Sequence, residues 1–489
     1  MQTNAHVIFQ YFLLIVQTLA TCALLARVLM GDGSPDCKPI KLSDEDFKQC
    51  GNKGFKIDCS GLRIQEVPDT YPPATEFPGQ PLCVLDLSNN NIIRLRSHAF
   101  NSSSINASEI QFLYLQLNAM KNIEQFAFVG LSNLKYLNLS KNGLAWPEHN
   151  KSFSSLSELS SLEDLNLKCN TFHTFDGLDK VLQTLPNLKG LFILPTFSNV
   201  TYSFGSGFKN MNLTKLSVSE SELCSCYLFC INNETFSNLK GLEKLYFSGC
   251  HVRNITPGAI QPLNQTLKEL DMSRNTDLTF KGMNNALQGL DNSTTLQNLF
   301  VNFLHIRFER SIALTKDDMR YISTMKNLTN LYMDLNKIEV LEQEVLTPDL
   351  MIPPTLQTFT LAGNRLIYGK YTSYLENAEN LTTIDVSRQF LGFDPFQFKQ
   401  QELSSSNSYG DYISTSNIMD ILTSHEDDRK YFVWDHAIKA HGEHESANVS
   451  IRKFDRTELF NKIHGFQVNC TCKGTNKKMC LPKNMKTLY

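Results

Sequence analysis

A surplus of either charge is missing from this chain: 46 Lys and Arg stand against 49 Asp and Glu over 489 residues. Without a basic excess no broad surface can neutralise a phosphate backbone, so no direct nucleic-acid binding is evident. Charge is also sparse, at 19% of residues against about a quarter in average soluble domains. Glycans could supply the missing solubility if the chain is secreted. After the N-terminal 30 positions there is no second apolar run of about 20 residues, the length a membrane helix needs. Membrane association is therefore expected only if the chain continues beyond residue 489. A catalytic constellation is lacking too. Nothing sets a nucleophile beside Asp435 and His436, so an enzyme with catalytic residues or a cofactor is not expected. His436, His441 and His444 beside Glu443 and Glu445 are read as a solvated surface cluster and not as a metal site.

What the chain has in abundance is one repeated line. Leu82, Leu85, Leu87, Asn90, Ile92, Leu95 and Phe100 set the frame; Ile110, Leu113, Leu115, Asn118, Met120, Ile123 and Phe128 repeat it. Leu328, Leu331, Met333, Asn336, Ile338, Leu341 and Leu346 repeat it again. This is a leucine-rich repeat. Units start at Leu82, Ile110, Leu134, Leu162, Leu188, Leu213, Leu242, Leu267, Leu296, Leu328, Leu356 and Leu381, in steps of 24 to 32 residues. Strict alternation in Leu-x-x-Leu-x-Leu makes a short strand with leucines inward and the x positions outward. Stacking gives an α/β solenoid, a horseshoe with a parallel β-sheet on its concave face. Such an array offers a surface and not a cleft.

The ninth position demands asparagine for a physical reason. Its amide both donates and accepts, so it can satisfy turn groups that stacking buries. Asn90, Asn118, Asn142, Asn170, Asn275, Asn336 and Asn364 fill this slot, and Cys250 fills it as a weaker donor. Thr196, Ser221, Leu304 and Gln389 are lapses, where loops could leave the coil to bind a partner. Phe100, Phe128 and Phe236 are read as packing on the convex side.

Three signals place the chain in an oxidising, extracellular or luminal compartment. Residues 1–26 read as a signal peptide, with an apolar stretch from Val7 to Leu19 and small residues at Ala20 and Ala23. The alternative is an uncleaved anchor running to Met30. Fourteen Asn-x-Ser/Thr sequons occur, at Asn101, Asn106, Asn138, Asn150, Asn199, Asn212, Asn233, Asn254, Asn264, Asn292, Asn327, Asn380, Asn448 and Asn469. Asn138 lies between Leu137 and Leu139, so its sugar would stand on the concave face and favour a lateral ligand surface. Removing Cys22 with the signal leaves twelve cysteines, an even number suited to disulfides. Cys224, Cys226 and Cys230 are expected to pin a loop; Cys470, Cys472 and Cys480 cluster near the C-terminus. Zinc is the weaker reading for the Cys224–Cys230 loop, since no His lies close to it.

The domain reading follows. A cysteine-rich N-terminal cap spans 37–81, about twelve repeats span 82–391, and a polar insert spans 392–466. That insert lacks the frame and is expected to be cut by proteases before the array is. Residues 467–489 hold the last cysteines and the start of a further repeat, because Met485-x-x-Leu488 matches its first half. The chain is thus expected to be a fragment or a truncated gene product.

Cys50 and Cys59, then Ser60-Gly61-Leu62, Val67-Pro68 and Leu85-Asp86-Leu87-Ser88-Asn89-Asn90 resemble the cysteine cap and first repeat of Toll-like receptors. The resemblance covers residues 37–391 and, weakly, 466–489. It implies disulfides Cys50–Cys59 and Cys37–Cys83. It also implies an ectodomain that binds a microbial polymer or a cytokine-like protein and pairs as a homo- or heterodimer. Ligand contacts would lie on outward strand positions such as Gln111, Tyr114 and Gln116, on the lateral edges, or on the Cys224–Cys230 loop. No individual ligand residue can be carried over. The alternative function is a secreted or matrix adhesion or developmental protein on the same fold.

Overall fold

The computed structural model describes residues 36–146, 153–173, 177–195, 203–221, 224–228, 230–305, 312–341, 352–366, 378, 380–387 and 487–488. The signal peptide, the insert, Cys470, Cys472 and Cys480, and the sequons at Asn150, Asn199, Asn448 and Asn469 lie outside the described residues.

One fifteen-stranded sheet organises these residues, its strands following one another in chain order. The strands are β1 (Lys38–Lys41), β2 (Phe55–Asp58), β3 (Leu82–Asp86), β4 (Phe112–Tyr114) and β5 (Tyr136–Asn138). Next come β6 (Asp164–Asn166), β7 (Gly190–Phe192), β8 (Lys215–Ser217), β9 (Lys244–Tyr246) and β10 (Glu269–Asp271). The last are β11 (Asn298–Phe300), β12 (Asn330–Tyr332), β13 (Thr358–Thr360), β14 (Thr383–Asp385) and β15 (Thr487–Leu488). β1 and β2 are antiparallel; every later pair is parallel, as a coil of stacked repeats requires. β15 continues the sheet with Leu488 opposite Ile384.

The middle residue of each rung points inward: Leu85, Leu113, Leu137, Leu165, Leu191, Leu216, Leu245, Leu270, Leu299 and Leu331, then Phe359 and Ile384. All are at most 1% exposed. Each buried leucine contributes about 1.5–3 kcal/mol relative to an exposed one. Opposite this column, Phe100 stacks on Phe128 at 6.2 Å and Phe204 on Phe236 at 6.2 Å, filling the wider convex side. Helix Thr279–Leu287 buries Phe280, Met283, Ala286 and Leu287 there, at helical spacing.

The slot asparagines bridge successive repeats. Asn336 donates to the Val301 carbonyl at 2.7 Å and accepts the Leu304 N–H at 2.8 Å. Asn90, Asn118, Asn142, Asn170, Asn275 and Asn364 form corresponding bonds. Cys250 departs from its reading as a donor: its sulfur is bonded to Cys226. Just before the slot the chain turns a left-handed corner, with φ near +53° to +68° at Asn89, Leu117, Lys141, Cys169, Gly249, Arg274, Phe303 and Leu335. A second asparagine ladder precedes the strands. Asn133, Asn187 and Asn380 each donate to a backbone carbonyl of the preceding repeat, as Asn327 does to Thr294.

The cap forms from β1, β2 and helix α1 (Asp44–Gln49). Ser43 caps α1 by accepting the Asp46 N–H, and Asp44, Glu45 and Asp46 complement its dipole. Its disulfides are Cys37–Cys59 and Cys50–Cys83. This corrects the pairs Cys50–Cys59 and Cys37–Cys83 implied by resemblance, and register supplies the reason. Lys38 faces Asp58 across the antiparallel pair, so the adjoining step sets Cys37 against Cys59. Cys50 ends α1 and meets Cys83 in a small core with Leu42, Val84 and Phe112.

Candidate binding face

Period-two alternation leaves two outward residues on each rung, one on either side of the buried leucine. Parallel register turns these into two columns. One runs Tyr136, Asp164, Gly190, Lys215, Lys244, Glu269, Asn298, Asn330, Thr358 and Thr383. The other runs Asn138, Asn166, Phe192, Ser217, Tyr246, Asp271, Phe300, Tyr332, Thr360 and Asp385. The face opens only at β5. On β3 and β4 the outward Val84 and Phe112 are buried beneath Leu42 and Cys50 of the cap, with Tyr114 and Tyr136 packed at its margin.

Chemistry changes along the columns. On β5 to β8, Asn138 and Asn166 lie in register beside Tyr136 and Asp164. Gly190 leaves a gap into which the Asp164 carboxylate leans; a Cβ there would collide with it. The Lys215 ammonium sits 4.6 Å from the Phe192 ring centroid, a cation–π contact. Burial holds the Lys168 ammonium down to about 8, assisted by the charge of Lys215. Burial pushes the Asp164 carboxyl up, opposed by Lys215.

On β9 and β10, Glu269 accepts the Tyr246 hydroxyl at 2.8 Å and lies 3.4 Å from Lys244. The β11 and β12 rungs present Phe300 and Tyr332 with parallel rings 4.5 Å apart. Asn330 donates to Asn298 beside them at 2.7 Å. Asp334, at the strand exit, accepts the Ala362 N–H at 2.8 Å. Burial raises its carboxyl to about 6, and the charge of Asp385 adds to the shift. The opposite edge carries exposed ion pairs, Lys189–Glu163 at 2.7 Å and Lys268–Glu243 at 2.8 Å.

The loop after Leu213 is pinned, but to partners outside itself. Cys224 bonds Cys169 and Cys226 bonds Cys250. Cys230 has no disulfide partner among the described residues and is half-buried, in a strand paired with Asn254–Ile255. Sequence reading missed Cys169 as a partner, and nothing short of the repeat register could have found it.

Asn101, Asn106, Asn212, Asn233, Asn254, Asn292, Asn327 and Asn380 are exposed, whereas Asn138 and Asn264 are half-buried. Asn138 stands on the concave face and accepts both the N–H and the hydroxyl of Ser140. Among the described residues no group of three or more His, Cys, Asp or Glu could hold a metal ion. No described helix is long and apolar enough to cross a membrane.

No family model matches the chain. The chain is similar to a protein named Toll-like receptor 4 of Pinctada imbricata, 29% identical over 282 residues. That match takes in 56% of this chain and spans 30% of the relative's own length. A solved structure of a TLR13–ssRNA13 complex aligns at 19% identity with a TM-score of 0.46, covering 73% of this chain and 51% of that one.

Proposed function

We propose that the chain, a leucine-rich-repeat array resembling the ectodomain of a Toll-like receptor, recognises an extracellular or luminal ligand on its concave face. It acts by binding and not by catalysis, and the ligand is a microbial polymer or a protein. In a longer receptor, ligand binding would bring two such arrays together as a homo- or heterodimer. Exposed sequons and four disulfides suit the outer side of a plasma or endosomal membrane.

The observation that carries this reading is the contrast between columns. The inward column is nearly uniform leucine, while the outward columns from β5 to β14 change from amide to base to acid to aromatic. Packing explains the first; solvent alone does not call for stacked rings such as Phe300 and Tyr332 on an open sheet. A glycan wedge tests it. Phe300→Thr completes a sequon on Asn298, placing a sugar on the face. Soluble peptidoglycan, lipopolysaccharide and β-glucan are presented to the secreted chain, with hydroxyl-radical footprinting of whichever binds. The wedge should abolish binding, and the footprint should fall on outward positions of β5 to β14. Undiminished binding with protection confined to the convex side would sink the reading.

A further inference from the structure

The outward positions described on β11 to β14 hold no Lys or Arg, unlike those of β8 and β9. They carry Asn298 and Phe300, then Asn330 and Tyr332, then Thr358, Thr360 and Thr383. Their charges are carboxylates, Asp334 and Asp385. The amides are fixed by their neighbours. Both amide hydrogens of Asn330 are donated, to Asn298 at 2.7 Å and to the Thr329 hydroxyl at 3.1 Å. Among the described residues this leaves the Asn298 amide hydrogens and the Asn330 carbonyl without a partner, a held donor beside a held acceptor. The rings of Phe300 and Tyr332 are parallel within 3° at 4.5 Å, so each covers one face of the other. The second face of Tyr332 is turned toward β13, where register places the short Thr360 and, one rung on, Asp385. Thr360 is 8% exposed, the floor of a step between taller side chains. Two rungs, about 10 Å, separate the ring from the carboxylate.

We infer that Tyr332, Asn298, Asn330 and Asp385 form a subsite for a neutral polysaccharide whose sugars carry equatorial hydroxyls, such as a β-linked glucan. This rests on the concave face being the binding surface. The C–H face of such a sugar is apolar and weakly positive, and it suits the negative face of the Tyr332 ring. Hydroxyls around the sugar rim both donate and accept, as the held amide pair does. Asp385 adds a charge-assisted acceptor, fixed in place because it already accepts the Ser387 N–H at 2.9 Å. An acidic polymer fits less well. Asp334 and Asp385 would repel it, and no outward Lys or Arg described on these rungs offsets them. A neutral sugar meets no such repulsion.

The test is calorimetric titration of the full secreted chain with laminarihexaose and with an oligogalacturonate of the same length. Laminarihexaose should bind and the oligogalacturonate should not. Tyr332→Ala and Asn298→Ala should each weaken laminarihexaose on the order of tenfold, the loss expected for one ring contact or one hydrogen-bonding pair. Tyr332→Phe keeps the ring and should retain most of the affinity, and circular dichroism should show all variants folded. Absence of laminarihexaose binding, or binding indifferent to both Ala variants, overturns the subsite. Tighter, Tyr332-dependent binding of the oligogalacturonate overturns the neutral-polymer assignment. These failures are separable from failure of the concave-face reading. If laminarihexaose does not bind while another polymer still protects outward positions of β5 to β14 from hydroxyl radicals, the subsite falls and that reading stands.

Discussion

Asp334 shows how the burial of one side chain on the concave face makes stability depend on pH. Its carboxyl is raised to about 6 from an ordinary 3.8, chiefly by burial. A raised folded value means the fold prefers the neutral acid. Its contribution is fully present below about 4 and lost as pH rises through about 6. At pH 7.5 the charged form therefore costs stability, on the order of 1–2 kcal/mol once solvent screening of the group is allowed for. Asp334→Asn keeps the acceptor for the Ala362 N–H while removing the charge. The urea midpoint of that variant should exceed wild type at pH 7.5, and the two should coincide below pH 4. An equal gain at both pH values would point to packing instead of charge.

The same scale explains what could be read in advance. The slot asparagines were legible because a single side chain type both donates and accepts in so small a space. The left-handed corner beside them was not. It imposes a backbone angle with no shared side-chain chemistry, so Leu117, Lys141, Cys169, Arg274, Phe303 and Leu335 occupy it with nothing in common. Such a conformation costs a non-glycine residue roughly 1–2 kcal/mol. Leu117 and Leu335 bear it while 39% and 47% exposed.

At the scale of elements, the two central disulfides stand where the asparagine ladder fails. Between Asn170 and Asn275 the slots hold Thr196, Ser221 and Cys250, none of them asparagine. Across this stretch Cys169 joins Cys224 and Cys226 joins Cys250, tying the flanking turns covalently in place of amide bridges. The leucine frame was legible through this region because burial acts on every rung alike. The pairing was not, since cysteines 24 and 55 residues apart meet only once the coil is wound. Mild reduction should accordingly raise hydrogen exchange first in β8, β9 and the loop between them, leaving β11 to β13 protected by Asn336 and Asn364. Exchange that rose first at β12 would show that the disulfides do not substitute for the ladder. The cap is a separate matter, because Cys37–Cys59 and Cys50–Cys83 close its own small core.

Taken as a molecule, the array has no single core. Its buried residues form one continuous column from the cap to β14, yet each rung touches mainly the rungs beside it. Stability is then close to a sum of repeat and neighbour terms, and damage should stay local. Leu270, fully buried at the centre of β10 between Leu245 and Leu299, is the place to ask. Leu270→Ala removes most of that side chain and leaves a cavity, at a cost of about 2–5 kcal/mol. In a globular domain such a loss would lower protection everywhere by the same amount. Here amide exchange should accelerate in β9 to β11 and fade within two or three rungs, while β2 to β5, held by the cap disulfides, stay at wild-type rates. Uniform acceleration from β2 to β14 would mean that the solenoid opens as a single unit. The outcome also bears on recognition. If rungs open independently, substitutions at Phe300 and at Lys215 report on separate parts of the face, and their effects on binding should add.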